Sequence, residues 1–183
     1  MEPYKLLEKY YFTNSSTYSF LVTHSRAVAD LALKAAERVK HLNPDLQFIE
    51  EAALLHDIAI FKVNAPKIGC IGPMLYVEHG YLGRELLEQE GYPRHALVCE
   101  RHVGCGLSAE DIRKYRLPLP ERDMIPLSLE EKIICWADKF FSKVPHRLKE
   151  EKPLEAVREM VSNYGDEQLK RFDEWQAMFG QKL

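Results

Sequence analysis

The most informative segment of the chain is Ala52-Ala53-Leu54-Leu55-His56-Asp57-Ile58-Ala59. Neighbouring side chains on a helix project about 100° apart, so His56 and Asp57 can both reach one object that lies over the same edge. The residues three, four and seven positions before His56 are apolar, so we expect His56 to lie on the buried face. Burying a carboxylate is costly without a partner, and a metal ion would bind imidazole nitrogen and carboxylate oxygen together. A capping aspartate beside a hydrogen-bonded core histidine is the alternative that this segment leaves open.

The size and composition of the chain favour one globular domain. It has 183 residues, 46% of them hydrophobic, and no run of 18 apolar residues that could span a membrane. The N-terminal segment lacks the hydrophobic region of a signal peptide and the four cysteines form no CxxC pair, so we expect reduced thiols and a cytoplasmic protein. The net charge of -3 argues against general nucleic-acid binding, so an anionic substrate would need a local source of positive charge.

Hydrophobic periodicity predicts helices along the whole chain. The predicted helices run from Pro3 to Tyr11, from Tyr18 to His41, from a cap at Asp45 through His56 and Asp57, from Leu75 to Glu90, from Pro93 to Val103, from Ser108 to Lys114, from a cap at Ser128 to Ser142, from Pro153 to Tyr164, and from Asp166 onward. There is no convincing strand pattern, so the sequence predicts an all-α, single-domain helical bundle. The segment from Phe61 to Pro73 is predicted to be a loop that lines the mouth of a cleft.

Polar side chains interrupt the apolar faces of several predicted helices. His24, His79, His102 and Asp138 each lie on such a face. Taken singly, each histidine is more often a hydrogen-bonded core residue than a ligand, and Asp138 could be a partner in a buried ion pair. Together with His56 and Asp57, however, they put metal-ligand residue types on five buried faces. One or two shared ions would satisfy all of them.

The order of these residues resembles a known family. His24, then His56-Asp57, then Asp138 are similar to the H…HD…D signature of the HD-domain metal-dependent phosphohydrolases. His79, between Glu78 and Gly80, and His102, after Glu100-Arg101, resemble the two extra ligands of the dinuclear branch of that family. The segments 100–112 and 129–138 also resemble a small group of uncharacterised predicted hydrolases within it. The resemblance implies that one metal ion is held by His24, His56, Asp57 and Asp138, and a second by His79 and His102 with Asp57 bridging.

The resemblance also implies a division of the chain and a mechanism. Residues 1–17 would form an N-terminal helix and linker, 18–142 an HD-type metal-binding catalytic core, and 143–183 C-terminal helices that pack on the core. A metal-bound water would attack a phosphorus atom, with His56 and Asp57 as the catalytic residues. The cofactor would be one or two divalent ions of Fe, Mn, Zn, Co or Ni, because histidines and carboxylates together accept all of these metals.

The sequence departs from the family pattern at one position that concerns the substrate. Many relatives have a basic residue three positions after the aspartate, where this chain has Ile60. A cation that contacts substrate phosphate must therefore come from elsewhere, and the candidates are Lys62, Arg26, Arg101 and Lys139.

The predicted function is hydrolysis of a phosphate ester or anhydride of a nucleotide or another small phosphorylated metabolite. Two alternatives stay open: a di-iron oxygenase on the same scaffold, and a non-catalytic sensor that binds a metal or ligand. We expect no membrane partner, and the sequence leaves a homodimer open.

Overall fold

The protein is described by a computed structural model that covers residues 1–143 and 147–180. Its α-helices are α1 (Pro3–Glu8), α2 (Ser16–Arg38), α3 (Leu46–Leu55), α4 (His79–Gln89), α5 (Pro93–Arg101), α6 (Ala109–Lys114), α7 (Leu129–Lys139), α8 (Leu154–Ser162) and α9 (Asp166–Phe179). Short 3-10 helices cover Lys40–Leu42, Ile60–Lys62, Pro66–Ile68 and Tyr76–Glu78. The predicted all-α fold is confirmed, since the described residues form only one small sheet, the antiparallel pair β1 (Asn64–Ala65) and β2 (Cys70–Ile71).

Side-chain caps fix the starts of three of the helices that carry the site. Ser15 accepts a hydrogen bond from the Tyr18 N–H at the start of α2, and Asp45 accepts one from the Phe48 N–H at the start of α3. Ser128 caps α7 in the same way. Each cap satisfies one of the N–H groups that the first turn of a helix leaves without a partner, and the last two agree with the caps predicted from the sequence.

Helix α2 lies at the centre of the packing, between α3 and α7, while α4 packs along α5. Leu21 of α2, Ile49 of α3 and Ile133 of α7 are fully buried. The C-terminal helix α9 covers the far side of α7 and buries Phe172 and Phe179. No described helix is long and apolar enough to cross a membrane.

Two glycines allow α4 and α5 to approach each other closely. A Cβ atom at Gly80 would lie 2.5 Å from the Cys99 carbonyl oxygen, and one at Gly83 would lie 3.0 Å from the Cys99 Cβ. Real side chains do not tolerate the first of these distances. Gly80 therefore sets the helix spacing beside His79 and His102, which lie at the facing ends of the two helices.

Several helix ends and one loop differ from the predictions, and two of these helix ends carry residues of the site. Helix α3 ends at Leu55, so His56 is its C-cap and Asp57 lies in the following turn. At this end the His56 ring donates to the Ala53 carbonyl at 2.6 Å, and the backbone tightens into a turn in which the Ile58 N–H bonds the Leu55 carbonyl. Helix α7 ends at Lys139 instead of Ser142. The predicted loop 61–73 contains the two strands, which are too short to give an alternating pattern.

Candidate metal centre

The six polar residues predicted to form a site converge in the interior of the bundle. His24 comes from α2, His56 and Asp57 from the end of α3, His79 from the start of α4, His102 from the end of α5, and Asp138 from the last turn of α7. All six are buried, with at most 6% of the residue exposed. The structure thus brings together side chains that are as far as 114 positions apart in the sequence.

One half of the cluster surrounds Asp138. Its Oδ1 atom lies 3.1 Å from His24 Nε2 and 3.5 Å from His56 Nε2. The Oδ2 atom of Asp57 lies 3.6 Å and 3.5 Å from the same two nitrogens. The ligand atoms of His24, His56 and Asp138 all lie within 4.8 Å of one another, a spacing that one ion could span.

The other half of the cluster uses the second oxygen of Asp57. Its Oδ1 atom lies 3.3 Å from His79 Nε2 and 3.3 Å from His102 Nε2, and those two nitrogens are 3.0 Å apart. The ligand atoms of His56, Asp57 and His102 also lie within 4.8 Å of one another. Asp57 therefore directs one oxygen at each half, which is the arrangement that a bridging carboxylate needs.

The orientation of three histidine rings is fixed by backbone carbonyls. His56, His79 and His102 each place Nδ1 at 2.6–2.7 Å from the carbonyl oxygen three residues earlier, in Ala53, Tyr76 and Cys99. A carbonyl oxygen can only accept, so Nδ1 carries the proton and, in the neutral ring, Nε2 keeps its lone pair. This is how metal-binding histidines are usually held by their surroundings.

The unpaired atoms of the cluster fit a metal centre. His56 Nε2 and Asp57 Oδ1 are buried without a well-formed hydrogen bond in the described part of the chain, and Asp57 Oδ2 lies 2.6 Å from Lys143 Nζ. With both rings neutral, the Nε2 lone pairs of His79 and His102 face each other at 3.0 Å, which is unfavourable unless a proton on one ring or a metal ion lies against them. Imidazole nitrogens and carboxylate oxygens are ligands of Zn, Mn, Fe, Co and Ni alike, so the donor set fits a divalent ion without selecting one. The role of each residue as a ligand remains a prediction.

The electrostatics of the cluster keep both carboxylates ionised. Burial acts to raise the pKa of Asp57, but Lys143 and then His56 outweigh it and hold that pKa well below its ordinary value. Burial likewise acts to raise the pKa of Asp138, and Lys139 and Lys143 lower it well below the ordinary value. Burial lowers the pKa of His102 to about 3, so this ring is neutral at physiological pH, as a ligand must be.

A cavity of about 650 Å³ opens onto His79, His102 and Asp138. The charged side chains in its described wall are Lys139, Lys143, Lys152 and Asp138. Much of the remaining wall is apolar or aromatic: Tyr76, Val77, Val103, Leu107, Tyr115, Leu117, Phe141, Met160 and Tyr164. Three cations against one acid give the cavity the local positive charge that the chain as a whole, at -3, lacks.

The structure brings one of the four predicted phosphate-binding residues to this cavity. Lys139 lines it, although its ammonium group also binds Asp138 Oδ2 at 2.8 Å and the His102 carbonyl at 3.0 Å. The other three pair elsewhere: Arg26 with Glu50 and Asp30, Arg101 with Glu131, and Lys62 over the Phe61 ring. None of these three, and no residue of the loop 61–73, belongs to the described wall of the cavity.

The sequence analysis did not identify Lys143, Lys152 or Tyr76 as parts of the site. Lys143 lies four positions after the end of α7, and Lys152 lies in the connection to α8. Both residues lie outside the helix that carries Asp138, so helical periodicity gives no signal for them. Proximity in sequence to Asp138 was the only usable signal, and it pointed to Lys139.

Comparison with known proteins places the chain among its relatives. An uncharacterized protein of Methanocaldococcus jannaschii is 33% identical over 121 residues, which are 64% of this chain and 64% of that protein. Two proteins named tRNA (cytidine(56)-2'-O)-methyltransferase are 30% identical. The one from Thermoplasma volcanium matches over 79% of this chain and 36% of its own length, and the one from Picrophilus torridus over 67% and 31%.

The chain therefore spans less than two thirds of the length of each of these relatives. No solved structure matches it. The family model described as HD domain matches residues 21–142, and this range contains all six residues of the candidate metal centre. Since the match covers well over half of the 183 residues, the chain belongs to the HD domain family.

Proposed function

We propose that this chain is a metal-dependent phosphohydrolase that cleaves a phosphate ester or anhydride of a nucleotide or another small phosphorylated metabolite. Membership of the HD domain family supports a metal-dependent hydrolase. The observation that carries the proposal is the pair of Nε2 atoms of His79 and His102, which face each other at 3.0 Å beside Asp57. Two neutral rings in this arrangement suit a metal ion, and a metal ion next to a positively charged cavity suits a phosphate group.

The cavity supports an organic phosphate as the substrate. A volume of about 650 Å³ is within the range of pockets that hold nucleotide-sized ligands. Its lysines lie near the metal-centre residues and can compensate phosphate charge, while apolar side chains such as Leu107 and Leu117 can cover an uncharged part of the ligand. We therefore propose a substrate that has both a phosphate and an organic group.

The residues of the chain would divide the work of catalysis. His24, His56, Asp57 and Asp138 would hold one divalent ion, and His79 and His102 a second one shared through Asp57. When bound, such ions polarise a phosphoryl oxygen and lower the pKa of a water molecule. The carbonyls of Ala53, Tyr76 and Cys99 fix the rings in advance, so little reorganisation is needed when the substrate arrives.

Two other functions remain for the same residues. A di-iron oxygenase would use the same ligands with iron, and a sensor would bind the ion or a ligand without turnover. The cavity favours the hydrolase over the sensor, because it places cations and apolar surface directly beside the metal-centre residues. The methyltransferase name of two relatives is not carried over, since this chain covers only 36% and 31% of those proteins.

We also propose that the protein works in the cytoplasm on a small molecule. The four cysteines are free and buried, which agrees with a reducing compartment such as the cytoplasm. The overall charge of -3 agrees with a small-molecule substrate better than with general nucleic-acid binding. A homodimer remains a prediction.

The test combines elemental analysis of the purified protein with a phosphate-release screen across nucleotides and sugar phosphates. We expect about one or two equivalents of a transition metal per chain and phosphate release from at least one substrate. Asp138→Asn should lose most of the metal and the activity while it stays folded, because the change keeps the size of the side chain and removes its charge. Chelation should lower the melting temperature of the wild type much more than that of the variant.

Asp30→Asn is the matched control, because Asp30 is a surface aspartate of α2 whose side chain is 59% exposed. It should keep wild-type metal content and activity. Wild-type metal content in Asp138→Asn would show that Asp138 is not a ligand. Iron that changes valence under oxygen, without phosphate release, would favour the oxygenase, and bound metal without any turnover would favour the sensor.

A further inference from the structure

Lys143 occupies a special position between the metal-centre residues and the cavity. Its Nζ atom lies 2.6 Å from Asp57 Oδ2, the same oxygen that lies 3.5–3.6 Å from the Nε2 atoms of His24 and His56. Its side chain lines the cavity and is 22% exposed, and its Nζ lies 5.6 Å from the centre of the Tyr76 ring. The ammonium group is thus the cation that sits where Asp57 would bind a metal ion.

A metal ion and the ammonium group would compete for this oxygen. A divalent ion bound to Asp57 Oδ2 would lie within a few ångströms of the ammonium, and the repulsion between them is strong in a buried site. We therefore expect the lysine to move away from Asp57 when the ion binds. Its long, flexible stem and its exposure at the cavity wall give it somewhere to go.

The other two lysines of the cavity are held in place by more contacts. Lys139 binds Asp138 Oδ2 and the His102 carbonyl. Lys152 donates to the carbonyls of Lys139 and Phe141. Neither contact set has to break when an ion binds at Asp57, so Lys143 is the lysine whose position depends on the metal.

We propose that Lys143 is an exchangeable cation: it neutralises Asp57 in the metal-free protein and, displaced by the metal ion, binds the phosphate of the substrate in the cavity. The inference rests on the proposed function in that it assumes a metal ion at Asp57 and an anion beside it. It makes Lys143 a competitor for the metal and a partner for the substrate. Removing its charge should therefore strengthen the first interaction and weaken the second.

The experiment measures both affinities by titration calorimetry. Metal-free protein is titrated with Mn²⁺ alone, and metal-loaded protein is then titrated with inorganic phosphate. Lys143→Met should bind Mn²⁺ about tenfold more tightly than the wild type, because the competing ammonium is gone. The same variant should bind phosphate about tenfold more weakly, because a charged hydrogen-bond donor is lost.

Two further variants guard the interpretation. Lys143→Arg keeps the charge and should restore both affinities to within about threefold of the wild type. Lys149→Met removes a lysine that is exposed to solvent and should change neither. Melting curves identify a variant that is not folded, and Lys143→Arg then supplies the comparison.

The outcomes separate this inference from the proposed function. If the wild type binds metal and releases phosphate while Lys143→Met matches it in both titrations, the inference is wrong and the hydrolase stands. An arginine variant that behaves like Lys143→Met also overturns it, because charge would not be the cause. A wild type that binds no Mn²⁺ and no other transition metal removes the proposed function and the inference together.

Discussion

Glu100 is a buried carboxylate beside the metal-centre residues that is not one of them, and its neutralisation should destabilise the fold without emptying the site. Its side chain is 1% exposed. One oxygen accepts from Arg122 Nε at 3.1 Å and from Nη2 of the same guanidinium, and the other accepts from Arg84 Nη1. Glu100 thus ties α4 to α5 and to the segment that precedes α7. The perturbation is Glu100→Gln, which keeps the shape and removes the charge.

The expected magnitude follows from these contacts. The glutamine oxygen can still accept hydrogen bonds from the guanidinium of Arg84 or of Arg122. Its NH₂ group then faces the second guanidinium, and two donors cannot bond each other. At least one charged hydrogen bond of about 1.5–3 kcal/mol is therefore lost. Breaking a fully buried ion pair costs about 3–5 kcal/mol. Arg84 and Arg122 are 23% and 43% exposed and can regain water, which reduces that cost. We expect a loss of about 2–3 kcal/mol in the free energy of unfolding.

Urea denaturation followed by circular dichroism measures this loss, and a thermal scan should show a melting temperature lower by about 4–12 °C. The matched control is Glu121→Gln, which breaks the Arg113–Glu121 pair, whose side chains are 62% and 57% exposed. This control should cost less than about 0.5 kcal/mol. Metal content should equal that of the wild type in both variants. A loss in Glu100→Gln no larger than in the control would refute the reasoning about burial, and a loss of metal would show that Glu100 supports the site itself.

Two further predictions concern packing and pH. Gly80→Ala should lower the free energy of unfolding by about 1–3 kcal/mol and reduce bound metal, because the new Cβ atom would meet the Cys99 carbonyl and push α4 away from α5. Urea denaturation measures the first effect and the metal-to-protein ratio measures the second. A variant with wild-type stability and full metal content would contradict the prediction. The half-buried His95 ring has a pKa lowered by burial, with Glu51 acting against this, so the unfolded state binds the proton more readily. The contribution of His95 to the free energy of unfolding should therefore be present above about pH 6.5 and be lost as the pH falls below it. In denaturation curves taken between about pH 5 and 7, His95→Gln should show a smaller loss of stability with falling pH than the wild type. An equal loss in the variant would assign the effect to another group.

The six polar residues of the buried cluster could be identified from the sequence because each of them leaves a local signal. His24 interrupts an apolar stripe between Phe20 and Val28, and Asp138 interrupts one on α7. A polar residue on a buried face has to find a partner, so periodicity alone identifies a residue that needs one. Helical periodicity was enough to predict the all-α fold, and the order of these residues in the chain was enough to predict the family.

The cavity could not be predicted in the same way, because tertiary structure assembles it from connections. Lys143 and Lys152 lie outside regular helices, where no period relates them to Asp138. Lys62 shows the opposite case, because it is close to His56-Asp57 in sequence but does not reach the cavity. It lies in a 3-10 helix that does not belong to the described cavity wall. Distance along the chain is a poor guide to distance in space once a helix has ended.

The placement of three histidines at helix ends gives the site its geometry. The last four carbonyls of a helix have no partner within it. His56 and His102 are the C-cap residues of α3 and α5, and their Nδ1–H groups bond the carbonyls of Ala53 and Cys99 in those last turns. One hydrogen bond thus satisfies a carbonyl and also fixes the tautomer and direction of the ring, with Nε2 turned inward. The Tyr76 carbonyl of the preceding 3-10 helix fixes the His79 ring in the same way, and it also accepts a hydrogen bond from the His79 backbone N–H. The rings are therefore arranged by the ends of the helices, which explains why helical periodicity finds these residues but does not give their geometry.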